Sequence, residues 1–419
     1  MNIAIIGGGF TGLSAAYELT KCGHTVTLFE KEKQLGGLAV GWKEKGWQWS
    51  LEKGYHHWFT NDNSIFGLIR ELGLYEKLII KRPITSIWWN GRMYPFDSPS
   101  TLLSFPGLSF LDKIRTALLL SGLKLNPFWE PLESITAEHL FRTIGGTNAY
   151  RTIWEPLLYG KFGDYAPEIS AAWLWARVKK RTPSLVYMQG GFQTLVDALA
   201  RAIRKRGGTI KTNSKFKIQN SKFDRTLLTV PTSIAMKLFP EMKRSSVPHL
   251  HAQVLILETK EPILKDVYWL NVTDRSFPFL AVVAHTNMID KKHYGGHHIT
   301  YVGNYLPDGH KYLSMTADQL CREFLPFINR LSITANGKMK TVNSSKKSLP
   351  FTVYRLHSFV GPFAQPVAEL HYSQIAPKLN TPVPGVYLAN LDSIYPWDRG
   401  TNYAVELGVK AARTIHEDS

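Results

Sequence analysis

Residues 2–30 leave very few folds open to this chain. Asn2-Ile3-Ala4-Ile5-Ile6 is a short apolar run of β type that meets Gly7-Gly8-Gly9-Phe10-Thr11-Gly12. Leu13, Ala16 and Leu19 then recur at helical spacing. Thr25-Val26-Thr27-Leu28-Phe29 reads as a second strand, closed by Glu30. A GxGxxG alone also fits an ordinary glycine-rich turn, but strand, turn, helix, strand and terminal acid together are what a dinucleotide site requires. Gly7 permits the tight turn, Gly9 lets backbone approach a pyrophosphate, and Gly12 lets the helix lie close on the strand. The helix amides and the positive end of its dipole then face the phosphates, and Glu30 meets a ribose hydroxyl.

A chain of 419 residues can bury more than one core, and about two domains are expected. Met1-Asn2 enters the first strand directly, without a basic leader and apolar stretch, and no run reaches the ~20 apolar residues of a membrane span. The two cysteines, Cys22 and Cys321, are far apart and outside any paired motif. A reducing, cytoplasmic setting is therefore the default, with neither disulfides nor a thiolate metal site. The net charge is +17, densest from Arg177 to Arg225. A solvated basic face is the first reading, attraction to an anionic membrane surface the second, and nucleic acid is not expected because no such motif accompanies the charge.

Glu30 is followed by Lys31 and then by Gly36-Gly37-Leu38. An acid ending the second strand, with a Gly pair a few residues on, is a feature of FAD enzymes more than of NAD dehydrogenases. Together with Gly190-Gly191 and the segment from Arg399 to Gly408, it resembles the flavin amine oxidase superfamily. That grouping includes protoporphyrinogen-oxidase-like and phytoene-desaturase-like enzymes and, more distantly, UDP-galactopyranose mutase. The resemblance implies FAD as cofactor and an α/β fold: a Rossmann-like FAD-binding domain with an inserted mixed α+β substrate domain. The FAD domain is expected to be discontinuous (1–75, 185–235 and 376–419), with 76–184 and 236–375 forming the substrate domain.

Residue by residue, the resemblance implies cofactor contacts from Gly7, Gly9, Phe10, Thr11 and Gly12, from Glu30 and Lys31, and from Gly36, Gly37 and Leu38. It places Gly54, Tyr55 and His56 near the isoalloxazine ring and the backbone near Phe216 at the adenosine half. Asn390 and Asp392 end a strand that meets pyrophosphate or ribityl oxygens, although Asn390 stands where glycine is more usual. Gly400, Thr401, Asn402 and Ala404 begin a helix whose amides point at the flavin pyrimidine edge. His56 and His57 are candidate proton handlers, with a packed aromatic corner as the alternative. Lys161 is a third candidate, since some flavin amine oxidases place a lysine and water beside the reactive nitrogen.

Asn90-Gly91 marks a hairpin turn between Ile84 and Tyr94. The Leu-, Phe- and Pro-rich stretch from Ser98 to Leu132 reads first as a buried helical insert, with the membrane-touching helices that lipophilic-substrate members of the superfamily carry in this region as the alternative. The histidines at 249, 251, 293, 297 and 298 lack the acids or cysteines of a recognisable ligand set, so no metal is expected. The leading functional expectation is an oxidoreductase that takes hydride from a substrate C–H bond onto flavin N5. A flavin-dependent mutase or isomerase without net redox change is the alternative, and a non-catalytic flavoprotein or basic surface binder is the third. A small molecule, lipophilic in the desaturase reading, is the expected substrate.

Overall fold

The first strand, β1 (Asn2–Ile6), is buried at Ile3, Ala4, Ile5 and Ile6, so it needs cover on both faces. Helix α1 (Phe10–Lys21) follows it, and β2 (Thr25–Phe29) returns parallel, pairing Ile3 with Val26 and Ile5 with Leu28. β3 (Thr209–Lys211) pairs with β2, while β4 (Arg225–Leu228) and β5 (Val386–Leu388) extend the other side. The five-stranded order β3-β2-β1-β4-β5 is all parallel and reverses direction between β1 and β4. That switch point, at the carboxyl ends of the strands, is where such sheets bind ligands. The computed structural model describes residues 1–214, 223–242, 247–335 and 351–418, without the side chains of 333–335.

A second, seven-stranded sheet runs in the order 353–366, 249–259, 298–306, 281–284, 267–272, 84–89 and 92–95. All its pairs are antiparallel except that of Ile84–Trp89 with Val267–Val272. The 84–95 hairpin turns at Asn90 and Gly91, both with positive φ (47° and 75°) as a tight two-residue turn demands. A small three-stranded sheet ties Trp58–Phe59 and Leu78–Lys81 to Leu185–Met188, directly before the Gly190-Gly191 turn. The strand expected at 215–218 and the polar loop at 344–348 lie outside the described residues, as does Phe216.

The helical segment departs from expectation. Helix α2 (Phe110–Leu125), capped by Ser109 accepting from the Asp112 amide, buries only Thr116, Leu119 and Leu123. On its other face Phe110, Leu118 and Leu125 are 75%, 66% and 79% exposed, with Leu111 and Phe128 exposed beside them. A helix apolar all round reads as buried; here the core fills one face, and no described residue covers the other. Helices α3 (Glu155–Phe162) and α4 (Ala171–Lys180) pack near it around Phe162, Trp173 and Trp175. Helix α5 (Phe192–Lys205) and helix α6 (Thr401–Glu417) then lie against α1.

Candidate active site

The glycine turn at the end of β1 is a cradle. Gly7 has φ 115°, and Thr229 closes over it, its hydroxyl donating to the Ile6 and Gly7 carbonyls at 3.0 and 3.1 Å. A Cβ on Gly12 would lie 2.0 Å from the Gly7 oxygen, so strand and helix touch there. A Cβ on Gly408 would lie 2.4 Å from the Thr11 oxygen, which is how α6 crosses α1. Gly9 differs: it caps α1 with φ −77° and no side-chain hydrogen bond, and a Cβ there would meet only Gly37 Cα, at 3.9 Å. The first amides of α1 thus face open space without an internal partner. Gly36 donates to the Gly8 carbonyl at 2.9 Å, laying Gly36-Gly37 across Gly8-Gly9.

Glu30 is buried and accepts from the Gly8 amide (2.7 Å) and the Glu32 amide (2.9 Å). Each carboxylate oxygen keeps a second lone pair for a ribose hydroxyl. Phe10 and Thr11 are buried in α1, whereas Lys31 and Leu38 are exposed. Asn390 donates to the Val230 carbonyl and Thr232 hydroxyl and accepts from the Asp392 amide. Asp392 in turn binds Thr232 and His249, the latter at 2.6 Å. The side chains of Asn390 and Asp392 are therefore committed, and what they can offer a cofactor is main chain.

Further along, the two ends of the chain meet. Trp58 Nε1 donates to Thr401 Oγ1 at 2.7 Å, and Asn402 Oδ1 accepts from the Ile65 amide at 3.1 Å. Gly400 caps α6 without a side-chain hydrogen bond, leaving the first amides of that helix, before Ala404, for a ligand, whereas the Ala404 amide is spent on the Gly400 carbonyl at 3.0 Å. From Gly408 at the α1 crossing, Thr401 is seven residues back, roughly 10 Å along the axis. Gly54 to His57 run beside this helix start. His56 Nδ1 donates to the Gly54 carbonyl at 2.7 Å, which leaves Nε2 as an acceptor. Burial lowers His56 to about 4, with Arg399 adding to the effect. Burial, then Arg181, His56 and Arg177, lowers His57 to about 3, and its Nδ1 lies 3.3 Å from the Tyr268 hydroxyl. Both histidines are neutral at pH 7.

Lys161 on α3 belongs to a separate cluster, centred on Asp398. Its Nζ is 3.6 Å from Asp398 Oδ2 and sits over the rings of Trp173 and Tyr305 at 4.9 and 5.4 Å. Arg177 binds the same carboxylate, and Trp173 Nε1 donates to its other oxygen at 3.3 Å. Burial, then Arg177 and Arg399, pushes the Lys161 amine well below the usual lysine range against the pull of Asp398. Burial raises the Asp398 carboxyl, but Lys161 and Arg177 outweigh it and hold it below the usual range. Tyr55 links the two groups, its hydroxyl 3.4 Å from that of Tyr305.

A profile of the family described as "Flavin containing amine oxidoreductase" matches residues 10–416. The chain belongs to that family. A flavin-containing amine oxidoreductase uses FAD, and the cradle at Gly9, the bare amides of α1 and α6, and Glu30 fit that cofactor. Among curated proteins it is similar to a probable zeta-carotene desaturase of Synechococcus elongatus, 28% identical over 38% of this chain and 37% of that one. The match thus spans well under half the length of that relative. In fold it is similar to a putative protoporphyrinogen oxidase of Exiguobacterium (TM-score 0.76, 17% identity, 100% of this chain and 99% of that one). Reduced UDP-galactopyranose mutase is similar too (TM-score 0.74, 16% identity, 100% and 96%). The α/β fold and the cofactor cradle are thus those of a flavin-containing amine oxidoreductase family member.

Three parts of this site escaped the sequence reading. Thr229 has no motif around it. Arg177 opens the run read as a solvated basic face, yet it turns inward to Asp398. Glu52 is the third: 1% exposed, it accepts from the Phe192 amide and the Tyr187 hydroxyl, both at 2.7 Å, and so ties the Gly190-Gly191 turn to the His56 segment. The signal available was an acid beside Leu51 in a short apolar strand. Burial raises Glu52 to about 7 despite those two donors. A carboxyl raised on folding contributes stability that is full below its unfolded value near 4.5 and is lost as pH rises through 7. Glu52→Gln is expected to melt a few degrees above wild type at pH 8 and to lose most of the pH 5 to pH 8 difference, read by thermal melts of both proteins.

Proposed function

We propose that this protein is an FAD-dependent oxidoreductase of the amine-oxidase or desaturase type and takes hydride from a C–H bond of a lipophilic small molecule. The observation that supports the reading is the meeting of the His56 segment with the start of α6 through the Trp58–Thr401 hydrogen bond, which sets two histidines held uncharged by burial beside that helix start. Bound FAD supplies the two-electron acceptor for that hydride. Residues 1–75, 185–235 and 376–419 serve as the FAD-binding unit, and 76–184 with 236–375 as the substrate unit. Gly7, Gly9, Phe10, Thr11 and Gly12 hold the pyrophosphate, Glu30 the ribose, and Gly400 to Ala404 the flavin edge. His56, with Nε2 free, accepts the proton that a dehydrogenated substrate releases; His57 is occupied by Tyr268 and orients the pocket.

A lipophilic substrate class is favoured by the similarity to a carotene desaturase and by the apolar face of α2, flanked by Lys113 and Lys124. That face suits peripheral contact with an anionic membrane. Among the described residues no helix is long and apolar enough to cross a membrane.

The purified protein is expected to be yellow and to bleach anaerobically with one of four compound classes: amines, polyenes, porphyrinogens or sugar nucleotides. His56→Ala should keep its flavin and be reduced about a hundredfold more slowly, the effect of losing one positioned base. Products isomeric with substrate, formed without acceptor consumption, would overturn the reading in favour of a mutase.

A further inference from the structure

Two residues before Gly54, at most about 7 Å of extended chain, stands a carboxyl that the proposed reaction leaves unused. Glu52 is buried, and its oxygens accept from the Phe192 amide at the start of α5 and from the Tyr187 hydroxyl. Its carbonyl accepts from the Tyr301 hydroxyl at 2.8 Å. Behind Tyr187 the hydrogen bonds continue: Tyr187 pairs with Tyr294, whose hydroxyl lies 2.8 Å from His285 Nε2. These phenols and His285 are buried, as is Tyr268, which reaches His57. No cation contributes to the shift of Glu52. Arg177, Arg181 and Arg399 act instead on Tyr55, His56 and His57, and both of those histidines are neutral.

An ionised Glu52 is therefore a buried charge without a counter-ion, and burial favours the acid. As the acid, Glu52 donates to Tyr187, Tyr187 to Tyr294, and Tyr294 to His285 Nε2; as the carboxylate, each of these bonds runs the other way. Either form keeps every bond made, so titration changes the charge at this place and leaves the packing alone. We propose that Glu52 tunes the reduction of bound FAD by charge: the acid leaves the negative charge of reduced FAD unopposed, and the carboxylate repels it. The proposal rests on the function assigned above and on the flavin ring lying beside the His56 segment. Glu52 acts as a positioning residue and handles no reacting atom. Reduction brings two electrons and one proton to the flavin from the reductant, and the charge so formed draws a further proton from solvent onto Glu52. Burial sets the transition of the oxidised protein at about 7. One unit charge ~10 Å away, at an effective dielectric of ~20, shifts such an equilibrium roughly tenfold.

The test measures the reduction equilibrium of the FAD-loaded protein against a redox dye from about pH 5 to about pH 9, so it needs no substrate. Glu52→Gln is neutral throughout; wild type should match it at the acid end and be roughly tenfold harder to reduce at the alkaline end. Tyr187→Phe keeps the carboxyl and removes a donor to its ionised form, so its transition should move to higher pH. That variant also decides the matter if Glu52→Gln fails to fold. Infrared difference spectra of the FAD-free protein over the same range should show a protonated-carboxyl band that fades as pH rises and is absent from Glu52→Gln. Parallel reduction profiles for wild type and Glu52→Gln would overturn the proposal. So would a Tyr187→Phe transition that does not move, or a carboxyl band that survives Glu52→Gln. Failure of every compound class to bleach the flavin, with the pH-dependent difference intact, would instead count against the oxidoreductase reading alone.

Discussion

Gly9→Val is expected to purify as a folded, colourless protein. The backbone at Gly9, φ −77°, is open to any L residue, and the added Cβ meets nothing nearer than Gly37 Cα at 3.9 Å. Folding therefore tolerates the change. The valine methyl groups, however, fill the gap between Gly9 and Gly37 through which the first amides of α1 would reach a pyrophosphate. Affinity for FAD should fall at least roughly a hundredfold, a loss of about 3 kcal/mol. Gly12→Ala makes the contrast, because its Cβ would lie 2.0 Å from the Gly7 oxygen, and it should fail to fold. Flavin absorbance per protein, alongside circular dichroism of both variants, separates the two. A yellow Gly9→Val protein would show that the pyrophosphate does not lie over this turn.

The second large effect is expected on vesicles. Wild-type protein should sediment with vesicles containing phosphatidylserine and less with neutral ones, and the double variant Leu111→Glu, Leu118→Glu should stay in the supernatant. Both leucines are exposed on α2, so the substitutions leave the core of Leu119 and Leu123 alone. Immersing Phe110, Leu111, Leu118, Leu125 and Phe128 even halfway would supply on the order of 5 kcal/mol. Lys113 and Lys124 would each add about 1 kcal/mol near an anionic surface. Removing two of the five anchors and adding two charges should weaken binding by at least roughly a hundredfold. Equal sedimentation of variant and wild type would mean that α2 is not the contact face.

Much of the nucleotide end was legible because its physics is local. Gly7, Gly36 and Gly37 adopt positive φ within a few residues of the strands they serve, and Asn90-Gly91 does the same for its hairpin. Glycine in such places is a conformational necessity that sequence displays directly. The substrate wall was not legible, since Arg177 meets Asp398 across 221 residues and Glu52 meets Phe192 across 140. No spacing rule links such pairs, and only the sheet and helix order brings them together. The outward face of α2 failed for a related reason: periodicity reports how apolar a helix is, while its neighbours decide which side is covered. Asn390 was legible as unusual, and its side chain proves to be spent on Val230 and Thr232.

The bridge from Trp58 to Thr401, with α6 crossing α1 at Gly408, sets an order of events during synthesis. The glycine turn is synthesised long before the rest of its site: its sheet lacks β5 and its flavin edge lacks Thr401 until nearly 400 more residues have followed. Cofactor capture is thus a late event that reports on the whole polypeptide. A yellow colour certifies that both halves of the message were translated and that the segment between them folded well enough to let them meet.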